Sequence, residues 1–148
     1  MTKSITKNII LYADDDKDDQ QLVEEVFERY SSHVEVILAD NGIDALEYLN
    51  KILPFEPSPC LIILDINMPR LSGKDVLVQL RNKERFVDTP VILFTTSSQL
   101  QDQIFAAKYK AGFITKPIDV DQMRLIADIF LDHCNEEVQK AIRPNIIK

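Results

Sequence analysis

Cysteine is scarce in this chain, with only Cys60 and Cys134 present. The pair fits no metal-ligand spacing and builds no disulfide framework of the kind that staples small secreted domains. Both read as reduced thiols in or near a core. Long apolar runs are missing too. Nothing approaches the roughly 20 residues that cross a bilayer, and residues 1–8 lack the apolar stretch of a signal peptide, so no membrane partner and a cytoplasmic location are expected. Cationic side chains are in deficit, with 17 Lys and Arg against 24 Asp and Glu and a net charge of −7. Non-specific nucleic-acid binding needs clustered Lys and Arg at phosphates, so no nucleic-acid partner is expected. The acidic balance suits a small cation or a basic protein surface. Repeats and low-complexity segments are also absent, and residues 136–148 are too few for an output domain.

What is present is one domain's worth of sequence. A length of 148 residues is enough to bury a core, and 45% apolar with 28% charged residues is the balance of a soluble globular protein. Five short apolar runs stand out: Ile9 to Leu11, Val34 to Leu38, Leu61 to Leu64, Val91 to Phe94, and Phe113-Ile114. Between them apolar residues recur at helical spacing: Leu22, Val23, Val26 and Phe27; Ala45, Leu46 and Leu49; Val76, Leu77 and Leu80; Leu100, Ile104 and Phe105; Met123, Ile126, Ala127 and Phe130. Asn41 and Ser72 are expected N-caps, and Ser98 with Gln101 and Asp119 with Gln122 have capping-box spacing. Continuous apolar strands alternating with amphipathic helices predict an α/β fold, a parallel sheet covered on both faces. The domain is expected over 6–135 with 136–148 as a C-terminal extension. The loop Pro54 to Pro59 reads as a stiff, exposed connector.

In an open parallel sheet, ligands bind beyond the carboxyl ends of the strands, so the residues that follow each strand matter most. The first ends in Asp14-Asp15-Asp16, the third in Asp65, the fourth in Thr95-Thr96, and the fifth runs through Thr115 to Lys116. Carboxylates gathered there repel by roughly 1–4 kcal/mol per close pair, and a divalent cation such as Mg²⁺ removes that penalty. Mg²⁺, a carboxylate nucleophile, a lysine and a hydroxyl together supply what phosphoryl transfer demands.

The ordered motifs Tyr12-Ala13-Asp14-Asp15-Asp16, Leu64-Asp65-Ile66-Asn67-Met68-Pro69 with Gly73, Phe94-Thr95-Thr96 and Thr115-Lys116-Pro117 resemble those of response-regulator receiver domains. The resemblance covers nearly the whole chain. It implies a doubly wound, flavodoxin-like (βα)5 sandwich with strand order 2-1-3-4-5. It implies that Asp65 accepts the phosphoryl group and that Asp14, Asp15, Asp65 and the backbone carbonyl of Asn67 form the Mg²⁺ site. It makes Thr95 the switch hydroxyl, Lys116 the lysine that meets the phosphoryl group, and Phe113 the rotating aromatic. It also implies a signalling domain rather than a turnover enzyme. The phosphodonor would be a histidine kinase or phosphotransfer protein, with a downstream protein on the face from strand 4 to helix 5 and a homodimer on exposed apolar residues of helix 5. Thr96 departs from the small alanine usual in the family, and Tyr109 to Gly112 is shorter than its usual turn. The acidic start and the lengthened loop before strand 3 resemble the subtype that partners phytochrome-type and hybrid kinases.

Plainer readings stand beside these. Asp14 to Asp16 could simply favour a helix N-terminus, with Asp18 and Asp19 a solvated first turn. Lys116-Pro117 could be a surface lysine before a helix-starting proline, and Thr95 an ordinary β-branched strand end. Phe113 also reads as core, while His33 and His133 read as surface residues without metal-ligand spacing. A pseudo-receiver that binds partners without phosphorylation is the alternative function. An aspartyl phosphatase is a third reading, weakened because position 67 is Asn rather than a second aspartate.

Overall fold

The computed structural model describes residues 7–144. Each apolar run forms a strand: β1 Asn8–Ala13, β2 Val34–Ala39, β3 Leu61–Leu64, β4 Val91–Thr95 and β5 Gly112–Thr115. All pairings are parallel, in the order β2-β1-β3-β4-β5. Order reverses between β1 and β3, which opens a crevice at their carboxyl ends. The helices between strands are α1 Lys17–Val26, α2 Gly42–Lys51, α3 Gly73–Arg81 and α4 Leu100–Lys108.

Alternation along the strands divides the core in two. Ile10, Tyr12, Ile63, Ile92 and Phe94 face α1 and the C-terminal helices, where they meet Val23, Phe27, Met123 and Phe130. Leu11, Ala13, Ile62, Leu64 and Leu93 face α2, α3 and α4, meeting Leu46, Leu49, Leu77, Leu80 and Ala106. Burial on both faces is why β3 reads as an unbroken apolar run.

Caps fall where side chains can reach free N–H groups. Asn41, Ser72 and Asp119 cap α2, α3 and the helix after β5, each accepting from the first turn. Ser98 does not cap α4. Gln99 holds that position without a side-chain bond, and Ser97 supplies the local hydrogen bonds instead. The fifth helical segment is also divided into α5 Val120–Arg124 and α6 Ile126–Leu131, tightened at Leu125, whose N–H donates to the Gln122 carbonyl. A further helix, α7 Glu136–Ile142, packs Ile142 into the cluster with Tyr30 and Cys134. The short turn before β5 is closed by Lys110 at φ 57°, while Arg81 donates to the Tyr109 carbonyl at 2.7 Å.

Of the loop Pro54 to Pro59, residues 54–57 are exposed, Ser58 is half-buried and Pro59 is buried, and its shape does not rest on proline alone. Arg85 donates to the carbonyls of Ile52, Leu53 and Glu56 and to Ser58 Oγ. His133 is exposed and His33 half-buried. Cys134 is buried and Cys60 half-buried, both as free thiols.

Candidate functional site

The acidic run after β1 divides by role. Asp16 is the N-cap of α1, accepting from the N–H groups of Asp18 and Asp19, so the plain reading holds for this residue. Asp14 is fully buried. Its Oδ1 accepts from the Asp16 N–H at 2.9 Å, and its Oδ2 accepts from Tyr12 OH at 2.5 Å and Lys116 Nζ at 2.7 Å. Asp15 stays exposed. Asp65 follows β3, its N–H bonded to the Ala13 carbonyl at 3.0 Å, which sets it beside the end of β1. Carboxylate oxygens of Asp14, Asp15 and Asp65 lie within 4.8 Å of one another.

Lys116 closes the pocket from β5. Its backbone N–H bonds the Thr95 carbonyl at 2.7 Å, and its ammonium donates to Asp65 Oδ2 at 3.3 Å as well as to Asp14. The side chain is only 11% exposed, so it is no surface lysine. Asp19 also bonds Lys116 Nζ, at 2.8 Å, which corrects the reading of that residue as a solvated turn. Nothing in the local sequence marks Asp19, because its partner lies 97 positions away. Tyr12 is the other contributor that motif reading left without a role. It sits on the core face of β1, and only its hydroxyl reaches the pocket.

Gly73 secures the loop after Asp65. A Cβ there would stand 2.1 Å from the Asp65 carbonyl oxygen, so only glycine lets the start of α3 approach so closely. Asn67 is exposed in this loop. Thr95 is fully buried at the end of β4, its Oγ1 accepting from the Ser97 N–H at 3.4 Å. Thr96 beside it is exposed. Phe113 is half-buried against the α2–α4 side of the core, in the cluster that includes Phe105 and Tyr109.

Three carboxylates, of Asp14, Asp19 and Asp65, thus hold one ammonium, and the Asp15 carboxylate lies within 4.8 Å of those of Asp14 and Asp65. Burial alone would lower the Lys116 pKa, but hydrogen bonds to Asp14 and Asp19 outweigh it and the net shift is upward. Burial pushes the Asp65 carboxyl up to about 6, and Asp14 adds to the rise while Lys116 opposes it. The uncompensated negative charge suits a hard cation. Oxygens about 2.1 Å from a small octahedral ion stand roughly 3–4.2 Å apart, a span these three carboxylates can meet.

Comparison with known proteins agrees with this geometry. The chain is 34% identical over 98 residues to response regulator Rcp1 of Synechocystis sp., covering 65% of this chain and 67% of Rcp1. The solved Mn²⁺-bound form of Rcp1 superposes with a TM-score of 0.73 at 25% identity, covering 95% of this chain and 97% of that one. A bacteriophytochrome response regulator, RtBRR, gives 0.69 at 27% identity, covering 94% and 90%. Other matched relatives are longer, and the matched region spans 48% of response regulator Rre1 and 41% of the DNA-binding transcriptional regulator RpaA, both of Synechocystis sp.. The response regulator receiver domain family matches residues 10–128, a span from β1 into α6 that holds every pocket residue described above. The chain belongs to that family.

Proposed function

We propose that the chain is a response regulator whose receiver, over 6–135, accepts a phosphoryl group on Asp65 and signals through a partner-binding face. The observation that carries this reading is the convergence of Asp65 with Asp14, Asp15 and Lys116 at one edge of the sheet. Mg²⁺ would be held by Asp14, Asp15, Asp65 and the Asn67 carbonyl, where it would neutralise phosphoryl oxygens and lower the charge that repels an incoming anion. An Asp65 carboxylate oxygen attacks phosphorus of a phosphohistidine. The P–O bond forms as the P–N bond breaks, and the imidazole leaves with its electron pair and takes up a proton. Lys116 meets the transferred charge, and Thr95 donates its hydroxyl to a phosphoryl oxygen of the product.

The donor is a histidine kinase or phosphotransfer protein. Similarity to a bacteriophytochrome response regulator favours a phytochrome-type kinase as that donor, and a cytoplasmic location belongs to the same reading. Among the described residues no helix is long and apolar enough to cross a membrane. The downstream partner, or a second copy of the chain, binds the α4-β5-α5 face, where Leu100, Ile104, Ile118 and Val120 are exposed. Phe113 beneath that face changes rotamer when Thr95 moves.

Incubation with Mg²⁺ and a small acyl phosphate tests the proposal. One acid-labile phosphate should appear in the intact mass and be lost in Asp65→Asn. An unmodified wild-type mass would reject phosphotransfer and leave the pseudo-receiver reading.

A further inference from the structure

Ser97, in the turn after β4, is bonded in four directions. Its N–H donates to Thr95 Oγ1, and its carbonyl accepts from Thr115 Oγ1 at 3.5 Å. Its Oγ donates to Asp102 Oδ2 at 2.6 Å and accepts from the Gln99 N–H at 3.2 Å. Asp102 lies in the first turn of α4, yet it is 7% exposed, which for a carboxylate requires partners. Its second oxygen pairs with Lys74 Nζ from α3. The Lys74 ammonium also stands 5.1 Å from the centre of the Phe105 ring. Lys74 directly follows Gly73, which is seated against the Asp65 carbonyl.

We propose that Lys74, Asp102 and Ser97 form a latch that positions Thr95. This rests on the phosphotransfer reading above and adds the element that sets how readily the switch is thrown. For the Thr95 hydroxyl to turn toward a phosphoryl oxygen on Asp65, the Ser97 N–H must lose or share its acceptor. The turn after β4 then has to shift. Ser97 cannot move far while its hydroxyl is held by Asp102, and Asp102 is held in turn by an ammonium on α3. The latch therefore favours the unphosphorylated arrangement. Weakening it raises the population already competent to react. None of the three hydrogen-bonds the Asp65 carboxylate, which Lys116 does, so they are positioning residues.

Asp102→Asn keeps an acceptor for Ser97 but removes the charge that holds Lys74. Asp102→Ala removes both bonds, Lys74→Gln removes the cation, and Lys74→Arg retains it. Hydrogen exchange of amides 96–102 without metal or donor reads the latch directly. The rate of phosphate uptake from Mg²⁺ and acetyl phosphate reads its effect on Thr95. A latch of ordinary hydrogen-bond strength predicts exchange and uptake both faster by roughly three- to tenfold in Asp102→Ala and Lys74→Gln. Asp102→Asn should fall between, and Lys74→Arg should return both rates to wild type. Unchanged exchange overturns the latch, as does faster exchange with an unaltered uptake rate in a protein that takes up phosphate. If wild type takes up none, the phosphotransfer reading fails separately and exchange alone decides. Faster exchange restored by Lys74→Arg then upholds the latch on the turn, and no change overturns it.

Discussion

At the residue scale the pocket is costly to the fold that holds it. Asp65 follows a buried strand with Asp14 beside it, and burial first, then that neighbour, pushes its carboxyl up to about 6 despite the pull of Lys116. The folded protein therefore binds the Asp65 proton more tightly than the unfolded chain, where such a carboxyl titrates near about 3.9. Stability tied to this proton is complete below the unfolded value and is lost as pH rises to about 6. The shift corresponds to no more than about 3 kcal/mol, reduced by rearrangement among the coupled groups. Without divalent metal, Asp65→Asn should match wild type near pH 4 and exceed its stability by roughly 1–3 kcal/mol above pH 7. Urea unfolding in chelator across that range makes the comparison, and a difference that stays flat with pH would refute the assignment. Asp14, Asp65 and Lys116 were legible because each closes a strand. Asp19 was not, since its role exists only once β5 delivers Lys116 to α1.

At the scale of elements, legibility follows how much of each segment is apolar. All five strands are visible as runs because the sheet is covered on both faces. α7 escapes notice because only Val138 and Ile142 mark its inner side, in a stretch otherwise polar and charged. Its attachment combines the burial of Ile142 with a charged network. Arg143, 6% exposed, donates to Asp128 Oδ1 at 3.2 Å, Asp132 Oδ1 at 3.0 Å and Gln139 Oε1 at 3.1 Å. Asp128 is shared with Tyr30 OH and Arg29, so the C-terminal helix is tied to the turn after α1. Among the described residues the buried Arg143 Nε has no hydrogen-bond partner, which offsets part of the gain. Arg143→Ala should destabilise the protein by about 1–3 kcal/mol, less than a fully buried pair because Asp132 is exposed. It should leave phosphate uptake within twofold, because none of the Arg143 partners lies in the acidic pocket. A denaturation midpoint equal to wild type would show that α7 does not depend on this arginine.

For the molecule as a whole, negative charge is both widespread and concentrated. The chain carries a net −7, and four of its carboxylates meet at one edge of the sheet, where among the described residues Lys116 is the cation paired with them. Self-repulsion of this kind opposes compactness, and any cation would relieve some of it by screening. A bound Mg²⁺ would do more, because it binds the folded pocket and not the dispersed carboxylates of the unfolded chain. Its contribution at ten times Kd is about 1.4 kcal/mol, which for a chain of this size raises Tm by roughly 3–6 °C. The two effects separate when ionic strength is held constant with a monovalent salt. Mg²⁺ should still raise Tm under those conditions, and chelation should reverse it. Asp15→Ala should abolish most of the rise, since Asp15 is exposed and the substitution disturbs no buried bond that would itself shift Tm. A Tm that follows ionic strength alone, with Mg²⁺ no better than the matched monovalent salt, would mean that the carboxylates gather without forming a metal site.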